Sequence, residues 1–147
     1  MEEDFTYFEP AGREPEEPGR FVSIEADLPA LALGPGLASR PLVGTNLLAS
    51  FVRYEPGAGA PRHAHEEEQL FVMLEGEVEM ELGGETRRLR PGDAVLIPAW
   101  VPHSVRSTGG AVYQLDVFSP PRRALLKLLE ETLPSAGGSR DSGPEKS

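Results

Sequence analysis

The sequence predicts an all-β fold, a sandwich or a closed double-sheet barrel, finished by one C-terminal helix. Three observations predict it. The chain holds 16 glycines and 15 prolines in 147 residues, against an ordinary combined usage of about 12%, and they are spread as turn punctuation rather than gathered in one block. Between them lie short runs of β-branched and aromatic residues. No βαβ alternation interrupts those runs, and only SPPRRALLKLLEETL, residues 119–133, shows helical leucine spacing.

The elements follow in order along the chain. Residues 1–20 carry seven acids against two arginines, so an acidic N-terminal arm rich in Glu and Pro is expected to stay solvated, ahead of a folded domain over residues 21–133. PLVGTNLLASFVRYE, residues 41–55, reads as strand, closed by a turn at PGAGAP. LFVMLEG, Leu70 to Gly76, is nearly continuous in apolar residues, which predicts a strand covered on both faces. EVEMEL then alternates, with Val78, Met80 and Leu82 on one face and Glu77, Glu79 and Glu81 on the other. Gly83-Gly84 marks a hairpin, and Arg87, Arg88 and Arg90 on the return strand can pair across it with those glutamates. After Pro91-Gly92, the segments DAVLIP, VPHSV and AVYQLDVF predict three further strands. In the helix Pro121 suits the first turn, and Leu125, Leu128, Leu129 and Leu133 share a face. Residues 134–147 lack apolar periodicity and are expected to be a disordered tail.

Composition excludes several classes of function. A net charge of −10 argues against nonspecific nucleic-acid binding, which needs clustered Lys and Arg to displace counterions. There is no cysteine, hence no disulfide, thiolate ligand or cysteine nucleophile. No apolar run approaches about 18 residues, so no membrane partner is expected. The start MEEDF is acidic where a signal peptide is basic, and together these features lead us to expect a cytoplasmic protein.

The stretch HAHEEEQLFVMLEG, residues 63–76, concentrates the chemistry. In extended backbone His63 and His65 point to one face, so two imidazoles can approach one ion. The third and last histidine of the chain, His103, lies in a separate strand segment. Asp116 sits in AVYQLDVF on the same face as Val112, Gln114 and Phe118. An Asp in a strand needs a compensating reason: water, the metal site, or a partner such as Arg53 or Arg122. Arg122, near a helix start, gains nothing from the helix dipole there, which favours carboxylate binding. Trp100, shortly before His103, reads as a lip for a ring or as a rim packing residue.

Two motifs resemble those of the cupin superfamily. Gly57, His63, His65, Gln69 and Gly76 fall at the spacing of the first motif, with Gln in place of Glu. Gly92, Pro98, Trp100, His103 and Ser107 fall at the spacing of the second, with Trp100 and Ser107 departing from Gly and Asn. The resemblance implies a double-stranded β-helix, or jelly-roll barrel, and one divalent transition metal ion (Ni, Zn, Fe, Mn or Co) on His63, His65, Gln69 and His103. Glu67 and Glu68 are rival ligands, but only Gln69 keeps both the gap from His65 and the gap to Gly76. An amide in place of a carboxylate leaves the ion one unit more positive, which favours polarising a substrate oxygen over oxygen chemistry.

The HxHxxEQ form with a later LDVFSPPR is similar to the pectin-degradation cupins that linearise unsaturated uronate monosaccharides. That resemblance implies Asp116, Phe118 and Arg122 as catalytic residues, a sugar-acid substrate, and a homodimer whose N-terminal strands pair across the interface. A cupin dioxygenase, a sugar isomerase and a non-catalytic binding cupin remain as alternatives on the same scaffold.

Overall fold

The computed structural model describes residues 7–10 and 12–133. The expected tail over 134–147, and residues 1–6 and 11 of the expected arm, lie outside the described residues. A short helix α1 (Ile24–Asp27) leads into β1 (Leu31–Gly34), β2 (Leu37–Val43), β3 (Leu48–Tyr54), β4 (Gly59–His63), β5 (Glu68–Glu75), β6 (Val78–Leu82) and β7 (Glu85–Leu89). The chain continues through β8 (Ala94–Ile97), β9 (His103–Ser107) and β10 (Val112–Ser119) and ends in α2 (Arg123–Thr132).

Two sheets face each other. One has six strands in the order β1-β2-β3-β10-β5-β8, the other four in the order β4-β9-β6-β7. From β3 onward the chain passes back and forth between the sheets, the expected jelly-roll arrangement. Inward side chains from both sheets, among them Val52, Phe71, Met73, Val78, Met80 and Val105, form the main core. A second cluster of Leu31, Leu48, Phe118 and Leu125 seats α2 against the β1 end of the larger sheet. Apolar burial at about 25 cal/mol per Å² makes these two clusters the main source of stability.

Several expectations are corrected. The run of residues 41–55 is two strands, because Gly44 to Leu47 closes a tight turn through the Gly44 N–H to Leu47 carbonyl bond at 2.8 Å. PGAGAP is only half turn: its second half opens β4. A Cβ at Gly59 would lie 2.2 Å from the Val105 carbonyl oxygen of β9, so the glycine that signals a turn is there to let two strands approach. Gly76 is similar: its φ is +85°, and a Cβ there would lie 2.4 Å from the Ala111 oxygen.

β5 is not covered on both faces. Gln69, Phe71 and Met73 are buried, while Leu70 and Leu74 are 40% and 39% exposed. Leu70 is paired in register with Leu96 of β8 and with Val117 of β10. The outer face of the larger sheet therefore carries an apolar band. In the β6–β7 hairpin, Arg90 and Arg88 pair across it with Glu77 as expected, at 2.9 and 3.7 Å, although Arg88 lies opposite Glu79; only Arg87 departs, pairing with Glu85 on its own strand. Pro121 precedes α2 rather than occupying its first turn.

Candidate metal centre

Backbone register brings the three histidines together. His63 ends β4 and His103 opens β9, where the two are paired neighbours; His65 follows in the loop before β5. Their ring centroids lie 4.3 to 5.6 Å apart, and one nitrogen from each falls within 4.8 Å of the others. His65 and His103 are buried, at 4% and 2% exposure.

Hydrogen bonds determine which nitrogen faces the centre. Nδ1 of His63 lies 2.7 Å from the Pro61 carbonyl, and Nδ1 of His103 lies 2.9 Å from that of Val101. With the proton on Nδ1, each Nε2 is a lone pair. Among the described residues His103 Nε2 is buried without a hydrogen-bond partner, a costly arrangement unless a ligand completes it. Burial, aided by the neighbouring His63, His65 and Arg122, drives His103 down to about 4. Burial, then Arg122, lowers His65 as well. Both are neutral near pH 7, as ligands must be.

His65 makes the same point more sharply. Its Nδ1 is 3.0 Å from the Glu67 carbonyl, and its Nε2 is 3.1 Å from Gln69 Oε1. Both partners are acceptors in this arrangement, because the Gln69 amide nitrogen donates to Asp116 Oδ1 at 2.9 Å. A neutral imidazole has one proton to give. One contact therefore sets lone pair against lone pair, and a cation between them resolves it. The donor set of three Nε2 atoms and one amide oxygen suits a divalent transition metal.

The rivals for Gln69 are placed elsewhere. Glu68 is exposed. Glu67 is 2% exposed, not solvated, but its carboxylate lies on the Nδ1 side of His65, at 3.7 Å, away from the edge that faces the other histidines. There it accepts from the Arg123 amide at 2.7 Å and pairs with Arg122 at 3.3 Å.

Asp116, Phe118 and Arg122 border the same cavity of about 520 Å³, together with the histidines and Gln69. Neither arginine considered as its partner holds Asp116. Arg53 lies 4.0 Å over the Tyr113 ring and 3.5 Å from Glu25, and Arg122 pairs with Glu67. Two amides hold Asp116 instead: Gln69, and Gln114 at 3.0 Å. The Tyr54 hydroxyl donates in turn to Gln114 Oε1. Burial raises the Asp116 carboxyl from 3.8 to about 7 against the opposing pull of the two amides. The Phe118 ring meets His65 edge-on at 5.6 Å, and Arg122 lies 5.9 Å from its centroid. Sequence reasoning missed Tyr54 and the roles of Gln114 and Glu67; the only signal for Gln114 was its shared strand face with Asp116.

Trp100 is 65% exposed, with φ 67°. It keeps the left-handed backbone natural to the glycine of the second motif, and its N–H donates to the His65 carbonyl at 2.8 Å.

Comparison with known proteins agrees with this fold. The family described as the cupin domain matches residues 50–118. The structure of KdgF from Halomonas sp. superposes with a TM-score of 0.67 at 31% identity, over 74% of this chain and 99% of that one. Dimethylsulfoniopropionate lyase DddQ of Ruegeria pomeroyi is 42% identical over 62 residues, 41% of this chain and 31% of that protein. The 5-nitrosalicylic acid 1,2-dioxygenase of Bradyrhizobium sp is 37% identical over 54 residues, 37% of this chain and 26% of that one. The chain thus spans less than a third of these two curated relatives. With the histidines of both motifs brought together by the paired strands β4 and β9 of a jelly roll, and KdgF matched along almost its whole length, the chain belongs to the cupin family.

Proposed function

We propose that the protein binds one divalent transition metal through His63, His65, Gln69 and His103 and linearises unsaturated uronate monosaccharides. The observation that carries the reading is Asp116: a buried carboxyl raised to about 7, on the wall of the cavity that the histidines share. Likeness to KdgF and the HxHxxEQ and LDVFSPPR segments support the substrate class. The metal, when bound, supplies Lewis-acid polarisation of a substrate oxygen.

An unsaturated uronate is a cyclic enol ether. Arg122 pairs with its carboxylate and Phe118 forms an apolar wall beside it. Protonated Asp116 gives its proton to the alkene carbon remote from the ring oxygen, and water adds at the adjacent carbon. The water's surplus proton returns to Asp116, so the step is net hydration. The resulting hemiketal opens to the linear keto form. Gln69 and Gln114 hold the Asp116 carboxylate in place through both half-steps.

Incubation of metal-loaded protein with 4,5-unsaturated uronates tests this. Ultraviolet absorbance of the conjugated alkene should fall; no loss on any such substrate removes the activity. A second reading, a dioxygenase acting on an aromatic acid, is favoured by the apolar part of the cavity wall at Leu33, Pro35 and Leu128. Substrate-dependent oxygen uptake would select it. A homodimer paired through its N-terminal strands would be measured by light scattering; the apolar band at Leu70, Leu74 and Leu96 lies at the far edge of that sheet from β1 and is not that interface.

A further inference from the structure

Three glutamates follow His65, and only the middle one is buried: Glu67 is 2% exposed, while Glu66 keeps 47% of its side-chain exposure. A buried carboxylate needs partners. Glu67 has them at the start of α2, which its neighbour Glu66 also reaches through the exposed Arg123 side chain at 2.9 Å. Its Oε2 accepts the Arg123 N–H at 2.7 Å, in the first turn of α2, and its Oε1 pairs with Arg122 Nη1 at 3.3 Å. Its own carbonyl meets Nδ1 of His65 at 3.0 Å.

The helix gives this arrangement its weight. The N-cap of α2 is Arg122, which makes no side-chain capping bond, and an arginine at a helix N-terminus is unfavourable. Glu67 supplies the missing acceptor and the missing negative charge from 55 residues away. Arg122 is thereby held over Phe118, with its side chain 23% exposed at the cavity wall. One carboxylate occupies one edge of the guanidinium. Among the described residues no further acceptor takes its remaining donors, which can meet another anion.

We propose that Glu67 is a positioning residue, a latch that ties the histidine loop to α2 and aims the Arg122 guanidinium into the cavity, so that recognition of a substrate carboxylate depends on a glutamate that never touches it. The choice of substrate rests on the uronate reading above; the latch itself does not.

Glu67→Gln separates this role from simple packing, since glutamine keeps the volume and an acceptor for the Arg123 N–H but loses the charge that holds Arg122. Two measurements on zinc-loaded protein are needed. In the first, the Arg122 Nε–Hε group is followed by nuclear magnetic resonance relaxation. It should be rigid in the wild type and mobile in Glu67→Gln, with the α2 amides unchanged. In the second, calorimetry with D-galacturonate, a saturated uronate, should show binding weakened by about tenfold or more in Glu67→Gln, with zinc affinity and binding of neutral D-galactose unaltered. Glu67→Asp keeps the charge and draws it back by one methylene, and should show the same separation in smaller measure if Glu67→Gln fails to fold.

An Arg122 that stays rigid in both variants, with galacturonate affinity unchanged, overturns the latch and leaves the uronate reading standing. An Arg122 released in Glu67→Gln, in a protein whose wild type binds no galacturonate, upholds the latch and overturns the uronate reading. Parallel loss of melting temperature, zinc and galacturonate in every variant overturns the latch in favour of mere packing.

Discussion

Asp116→Asn removes one titratable proton from the cavity wall and keeps the shape of the side chain. The Asp116 carboxylate accepts from Gln69 at 2.9 Å and from Gln114 at 3.0 Å, so asparagine sets an amide N–H₂ against one of two N–H₂ donors. Gln114 can turn over without loss, because its other partner, the Tyr54 hydroxyl, can accept as well as donate. Gln69 then keeps its oxygen towards the histidines, and metal content should persist. The proton is a different matter. Burial first, against the two amide bonds, raises Asp116 from 3.8 to about 7. A carboxyl raised on folding leaves stability intact below its unfolded value and costs stability as pH climbs through the folded one. For this shift the loss is on the order of 4 kcal/mol between about pH 4 and pH 7.

Asparagine does not titrate, so it escapes that loss. Urea unfolding of metal-free wild type and Asp116→Asn, at about pH 4.5 and about pH 7.5, measures the difference. The variant should gain on the wild type as pH rises. Parallel stability profiles would refute a desolvated Asp116. In metal-loaded protein, uronate turnover should fall by roughly two or more orders of magnitude, the scale of general acid catalysis. Turnover that survives takes Asp116 out of the mechanism.

Trp100→Gly relieves a φ of 67° at an exposed side chain and should raise stability by about 1 kcal/mol, net of glycine's greater unfolded freedom; a drop would show that the indole packs. Gly76→Ala drives a Cβ to 2.4 Å from the Ala111 oxygen at φ +85°, and thermal unfolding should show a loss of about 3 kcal/mol or more. Gln69→Glu sets a second carboxylate where a donor stood 2.9 Å from Asp116. Without metal it should cost about 3 kcal/mol near neutral pH, and added zinc should restore the melting temperature.

What could be read in advance was what spacing encodes. His63, His65, Gln69 and His103 carry their geometry in their intervals, because strand backbone turns intervals into directions. The hairpin of β6 and β7 was legible for the same reason. Where one residue type serves two purposes, the reading failed. Gly59 has the composition of a turn, and only the position of the Val105 oxygen shows why a strand needs it. Leu70 and Leu74 look like core in a continuous apolar run, yet they face outward, because apolar content alone does not say which face is covered.

Glu67 was hidden more deeply. Nothing in three consecutive glutamates marks the middle one as buried, and the partners that bury it lie 55 and 56 residues away. Asp116 was correctly singled out as a strand residue in need of compensation, but arginines were the wrong partners to consider. The outer face takes Arg53 to Glu25 and Tyr113, while the inner face offers amides at Gln114 on the same strand and at Gln69 on the neighbouring β5.

The claim beneath all of this is that the three Nε2 atoms and the Gln69 oxygen hold one ion. Elemental analysis of purified wild type and His103→Ala tests it most directly, since His103 Nε2 is the buried nitrogen that, among the described residues, has no hydrogen-bond partner. About one divalent transition metal per chain is expected in the wild type, with a sharp fall in His103→Ala at an unchanged fold by circular dichroism. Full metal occupancy in His103→Ala, or a metal-free wild type that takes up no zinc, nickel, cobalt, manganese or iron on titration, would contradict the account.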